Sequence, residues 1–211
     1  MDFFEKPTHH AGGKGNLVEL NPDHPGFNDT AYRKRRNRIA ELALNFESGS
    51  EIPKAEYSEA EHAVWEMVSS NLYPIHQDKV CVEILELEKF ITLSKNKIPQ
   101  LKDVSVYLYR SAGFRMEPVA GLISPRIFLR YLGRQVFLST QYIRHHSQPW
   151  YTPEPDIIHE LIGHAASLAH PGIAETNRLL GMACDVATET EMNRLARVYW
   201  YTLEFGVVLE N

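Results

Sequence analysis

Along most of the chain, apolar residues recur three and four positions apart, the period of helices that bury one face. Tyr32, Ile39, Leu42, Ala43 and Phe46 form one such stripe, which opens near Asp29 or Thr30 and is closed by Gly49. Ser58 and Glu61 make an S-x-x-E capping box, in which each side chain bonds the other's backbone N–H. It predicts a helix with Val64, Trp65 and Val68 inward, running to Pro74. Residues 79–93 read as an amphipathic helix with Val82, Leu85, Phe90 and Leu93 inward, and 103–109 as a short helix before Gly113. Residues 127–131, 156–169 and 189–208 read as helices too. Strand patterns are confined to 114–119 and 135–140. The predicted fold class is therefore mainly α with a few short strands.

Before Asp23 the pattern breaks down. His9-His10-Ala11-Gly12-Gly13-Lys14-Gly15 and Asn21-Pro22 are dense in residues that interrupt regular structure, so residues 1–22 are expected to be irregular and 23–211 to form one domain. The 211 residues suffice for one hydrophobic core. No apolar run approaches the ~18–20 residues that cross a bilayer, and the N-terminus carries no apolar signal core, so the expectation is a cytoplasmic protein without membrane contact. A net charge of -5 leaves no global basic footprint for nucleic acid. Cys81 and Cys184 are expected as free thiols. The cluster Arg33, Lys34, Arg35, Arg36 and Arg38 reads as a solvated helix face with one or two ion pairs, against a phosphate site.

Ten histidines stand out, many in the last third. The informative stretch runs from Tyr151-Thr152-Pro153-Glu154-Pro155-Asp156 into His159-Glu160-Leu161-Ile162-Gly163-His164. The two prolines hold the approach extended, and Asp156 is a candidate N-cap. In H-E-x-x-H zinc hydrolases two imidazoles at i and i+4 share a helix face. Here the spacing is i and i+5, about 140° apart on a regular helix, which disfavours that reading. Either these are two buried, hydrogen-bonded histidines, or a π-type turn or early helix end brings them onto one ion, and Gly163 would ease such a distortion. Two imidazoles and one carboxylate on one face of an octahedron are the ligand set of non-haem Fe(II) oxygenases. Glu204, inside the very apolar run Val198–Val208, is the unusual carboxylate. Buried there it needs either a metal or an arginine partner.

Taken together, these segments resemble the pterin-dependent aromatic amino acid hydroxylases. The resemblance also includes Tyr199-Trp200-Tyr201-Thr202-Leu203-Glu204-Phe205-Gly206, Asp23-His24-Pro25-Gly26, Ile98-Pro99-Gln100-Leu101, Gly113-Phe114-Arg115, Pro118-Val119-Ala120-Gly121-Leu122 and Thr140-Gln141-Tyr142-Ile143-Arg144-His145. It implies the catalytic-domain fold of that family and one Fe(II) held by His159, His164 and Glu204. It implies a tetrahydropterin stacked on Phe128, with Gly121, Leu122, Ile123, Glu160, Ala196 and Tyr199 around it. From the residues alone, Phe128 reads as a core aromatic. The resemblance further implies that Arg144 and Thr152 bind the substrate carboxylate and that Trp200 lines the ring pocket. Arg36 is expected to pair with Glu154. The implied activity is ring hydroxylation of a free aromatic L-amino acid by O2. Trp at position 200 favours a single-ring substrate, phenylalanine first.

Two departures from the family pattern are visible. Leu138 stands where many members have a histidine near the pterin, and Leu132-Gly133-Arg134-Gln135 replaces an aromatic-containing run. The chain also ends at Asn211, shortly after Glu204, so the expected fold is incomplete at its C-terminus. A tetramerisation tail is not expected, which leaves a monomer or an undefined oligomer. The competing expectation is a truncated, catalytically silent domain that still binds iron.

Overall fold

The computed structural model describes residues 17–90 and 93–209, the side chains of 88–90 excepted. Most of the segment expected to be irregular, 1–22, lies outside the described residues. The first helix, α1 (Thr30–Leu44), starts where the pattern places it, with the Asp29 carboxylate accepting from the Ala31 and Tyr32 N–H groups. The capping box of Ser58 and Glu61 opens α2 (Glu59–Lys79). That helix runs past Pro74, where the pattern predicts a stop. Its buried residues, Val64, Trp65 and Val68, all precede the proline, and Ser70, whose carbonyl loses its N–H partner, is exposed to water. Next come α3 (Val82–Phe90) and α4 (Leu101–Ala112). Gly113 ends α4 with φ +75, a left-handed conformation that glycine adopts without steric cost.

The strands β1 (Arg115–Pro118) and β2 (Val136–Ser139) pair in parallel, Arg115 opposite Val136 and Pro118 opposite Ser139. Helix α5 (Pro125–Gly133) makes the crossover that a parallel pair requires. Apart from Arg115, both strands are buried throughout, as expected of a parallel sheet covered on both faces. A short α6 (Ala166–Leu168) is followed by α7 (Pro171–Val186) and α8 (Glu189–Tyr199). The core gathers Trp65, Leu101, Leu108, Phe114, Phe137 and Leu161 from helices and sheet alike.

The helix over α7 is absent from the sequence reading, and its packing explains why. Its buried positions are Ala174, Asn177, Gly181 and Cys184, small or polar residues that leave little hydrophobic period. Small residues are needed because α5 crosses at backbone distance: a Cβ on Gly181 would lie 2.0 Å from the Gly133 nitrogen and 2.3 Å from the Leu129 carbonyl oxygen. The final helix also differs from expectation. Regular α-helix ends at Tyr199, a π-helical segment covers Trp200–Glu204, and Phe205 onward is not helical.

Candidate metal centre and cofactor cleft

The segment that bears the two histidines begins with Asp156, whose carboxylate accepts from the His159 N–H as an N-cap does. From His159 to Ala165 the backbone is π-helical. In that winding, residues five apart return to one side of the helix, and His159 Nε2 and His164 Nε2 come within 2.9 Å. Gly163 has open space where a Cβ would stand, so the distortion does not depend on a missing side chain there. The second π-helical segment, Trp200–Glu204, closed by the Phe205 N–H bonding to the Trp200 carbonyl, delivers a carboxylate from the other direction. Glu204 Oε1 lies 3.2 Å from His159 Nε2, and Oε2 lies 3.3 Å from His164 Nε2.

These spacings fit a metal. A divalent first-row ion about 2.1 Å from three donors at right angles would hold them about 3.0 Å apart. Two imidazole nitrogens 2.9 Å apart are otherwise compatible only if one carries a proton. Burial disfavours charge on both Glu204 and His159, but the hydrogen bonds between them reverse this. Glu204 is held well below the usual carboxylate range by the two imidazoles, and His159 is raised by Glu204 and Glu160. Both shifts favour a positive charge between these groups, and among the described residues His159, His164 and Glu204 are the only such cluster.

Beside the triad opens a cleft of about 540 Å³. The loop Gly121, Leu122 and Ile123 and Phe128 of α5 line it, together with Ala196, Tyr199 and Trp200. Phe128 meets Tyr199 edge to face, with ring centroids 5.4 Å apart. Glu160 lies in the floor. Burial pushes its carboxyl up to about 8, against the pull of His159 and a hydrogen bond from the Thr140 backbone. A divalent cation at the triad would draw it back down. Leu138, the first of the two departures, also lines the cleft, and with Val119 and Phe137 it makes the buried end apolar.

The structure thus brings together the three proposed metal ligands, all seven residues expected around a pterin, and Trp200. Arg144 and Thr152 do not line the cleft. The Thr152 hydroxyl donates to the Glu154 carbonyl. The Arg144 guanidinium is gripped by the fully buried Asp156, at 2.8 Å from Nε and 2.7 Å from Nη2, and its Nη1 reaches the Pro149 carbonyl at 3.3 Å. Asp156 accepts from the Arg144 and His159 N–H groups as well, so one carboxylate ties the arginine loop to the metal segment. Sequence reading gave Asp156 only the cap. It also missed Asn193 and Arg197 in the cleft wall, which have no motif signal.

The metal loop is fixed at a second point. Arg36 Nη2 bonds Glu154 Oε2 at 2.7 Å, as the resemblance implied, with Tyr142 donating to the same oxygen at 3.2 Å. Arg36 is buried and its Nε has no hydrogen-bond partner. The Tyr142 ring, 3.3 Å from the guanidinium carbon, compensates by cation–π attraction. Of the rest of the basic cluster, Arg35 pairs with Glu61, while Lys34 and Arg38 are exposed. Cys81 and Cys184 are free, as expected.

Two helical histidines and a glutamate converge beside a largely apolar cleft, a donor set of the kind that mononuclear non-haem iron sites use. A family model described as biopterin-dependent aromatic amino acid hydroxylase matches residues 12–211, and the chain belongs to that family. It is 45% identical over 197 residues to tyrosine 3-monooxygenase of Schistosoma mansoni, covering 92% of this chain and 42% of that protein. It is 44% identical over 203 residues to the chloroplastic phenylalanine 4-monooxygenase of Pinus taeda, covering 96% and 56%. The chain thus spans about half the length of these curated relatives. Among solved structures, the apo phenylalanine hydroxylase of Colwellia psychrerythraea superposes with a TM-score of 0.68 at 33% identity, over 70% of this chain and 57% of that one. Chromobacterium violaceum phenylalanine hydroxylase, bound to iron(III) and 7,8-dihydrobiopterin, gives 0.68 at 25% identity, over 78% and 62%. Iron and a pterin are the cofactors that membership of this family brings. Among the described residues no helix is long and apolar enough to cross a membrane.

Proposed function

We propose that this chain hydroxylates the ring of a free aromatic L-amino acid, phenylalanine first, using O2, Fe(II) and a tetrahydropterin. The observation that carries the reading is the triad: two imidazoles and a carboxylate 2.9–3.3 Å apart at the end of a cleft walled by Phe128, Tyr199 and Trp200. Iron and reduced pterin, when bound, supply the activation of dioxygen and the two electrons by which one oxygen atom enters the ring and the other becomes water. The protein's part is placement. His159, His164 and Glu204 would hold the ion. Phe128, with Gly121, Leu122, Ile123, Glu160, Ala196 and Tyr199 around it, would hold the pterin. Arg144, oriented by Asp156, and Thr152 anchor the amino acid carboxylate, and Trp200 walls the aromatic ring.

A second reading is an iron-binding domain without turnover. It is favoured by the exposure of the apolar groups next to Glu204: Trp200 is 53% exposed, Phe205 61% and Leu209 95%. One assay separates the two. Protein loaded with Fe(II) is given tetrahydropterin, O2 and equal concentrations of phenylalanine, tyrosine and tryptophan, and products are identified by mass. With oxygen-18 as the O2 supplied, tyrosine carrying one heavy oxygen as the major product supports the first reading. Iron retention with no hydroxylated product supports the second.

A further inference from the structure

On α8 and the π-helical segment beyond it, Asn193, Arg197, Trp200 and Glu204 succeed one another at spacings of four, three and four, and all four line the cleft with Ala196. This row runs from the triad to the cleft mouth. At 1.5 Å per residue, Arg197 sits roughly 10 Å along the axis from Glu204. The nearby arginines of α5 are neutralised: Arg126 pairs with Glu189 at 2.9 Å and Arg130 with Asp185 at 2.9 Å. Arg197 is different. Among the described residues neither its side chain nor that of Asn193 has a hydrogen bond or ion pair, and both residues are exposed. An uncommitted guanidinium and an uncommitted amide, one helical turn apart and facing the same cleft, make an anion-recognising pair.

We propose that Arg197 and Asn193 form a subsite for an anionic group, a phosphate or carboxylate, at the end of the side chain of the bound pterin. This rests on the reading above, which leaves the substrate carboxylate to Arg144 on Asp156, outside the cleft lining, and so gives Arg197, the arginine of the lining, to the other ligand. The apolar inner end, where Leu138, Val119 and Phe137 stand, offers an anion nothing, so a charged tail has only the mouth to occupy. The full chain therefore discriminates between pterins by the charge of their tails.

The test is equilibrium binding, followed by quenching of intrinsic fluorescence or by calorimetry, with three stable probes: 7,8-dihydroneopterin, its 3′-monophosphate and 7,8-dihydrofolate. The unmodified protein binds at least one anionic probe about tenfold or more tightly than dihydroneopterin, the scale of one charge-assisted hydrogen bond. Arg197→Gln removes that preference while dihydroneopterin binding stays within about twofold. Arg194→Gln, which removes an exposed charge beside the cleft but not in its wall, keeps the preference. The phosphate and carboxylate probes separate the two sources of the anion. Equal affinities for all three probes in the unmodified protein overturn the subsite, as does an equal loss in both arginine variants. Loss of phenylalanine affinity in Arg197→Gln overturns the assignment of the anion to the pterin. Failure of every pterin to bind overturns the proposed function itself.

Discussion

Glu204→Gln is expected to lower affinity for Fe(II) by more than about 100-fold, beyond the 10–100-fold cost of losing an outer partner of a metal ligand. The substitution keeps the volume of the side chain and removes its charge. In the native site the carboxylate faces both imidazoles at 3.2 and 3.3 Å and is held ionised by them. An amide offers a weaker oxygen and no charge to offset the cation. His159→Ala removes a second donor and is expected to act as strongly. Iron content after anaerobic loading and gel filtration measures both, with a thermal melt of the metal-free proteins to confirm folding. Near-normal iron in both variants would contradict the triad.

Asp156→Ala is expected to give the largest loss of stability of any substitution near the site. Asp156 is 0% exposed and accepts from the Arg144 guanidinium and from the backbones of Arg144 and His159. Removing it leaves a guanidinium with only 10% side-chain exposure and no counter-charge, and breaking a buried pair in this way costs about 3–5 kcal/mol. For a chain of this size that lowers Tm by roughly 6–20 °C. The double variant Arg144→Met, Asp156→Leu, which removes both charges, recovers part of the loss. A fall of less than about 2 °C for Asp156→Ala, or no recovery in the double variant, would show that the pair does not hold the arginine loop to the metal segment.

Much of the site was legible in the chain because its chemistry conflicts with its periodicity. Histidines five apart cannot share a face of a regular helix, so a shared ion required either a π-type turn or an early helix end, and His159–Ala165 adopts the former. Glu204 stood out as a carboxylate in an apolar run, and its side chain is only 12% exposed. What sequence missed has equally local causes. The π-helical segment at Trp200–Glu204 has no glycine or proline within it to announce it. Helix α7 buries Ala174, Gly181 and Asn177 in place of large apolar groups, because α5 lies too close for anything bigger. Pro74 signals a stop that solvent makes unnecessary. The grip of Asp156 on Arg144 joins residues separated by a loop, where neither period nor spacing carries information.

The central claim is that one ion sits between His159, His164 and Glu204 with its other positions open to non-protein ligands. Anomalous diffraction at the iron K edge, from crystals loaded anaerobically with Fe(II), tests it most directly. One peak is expected, within about 2.3 Å of His159 Nε2, His164 Nε2 and a Glu204 carboxylate oxygen. A peak elsewhere in the chain, or a fourth protein side chain on the ion, would contradict the account.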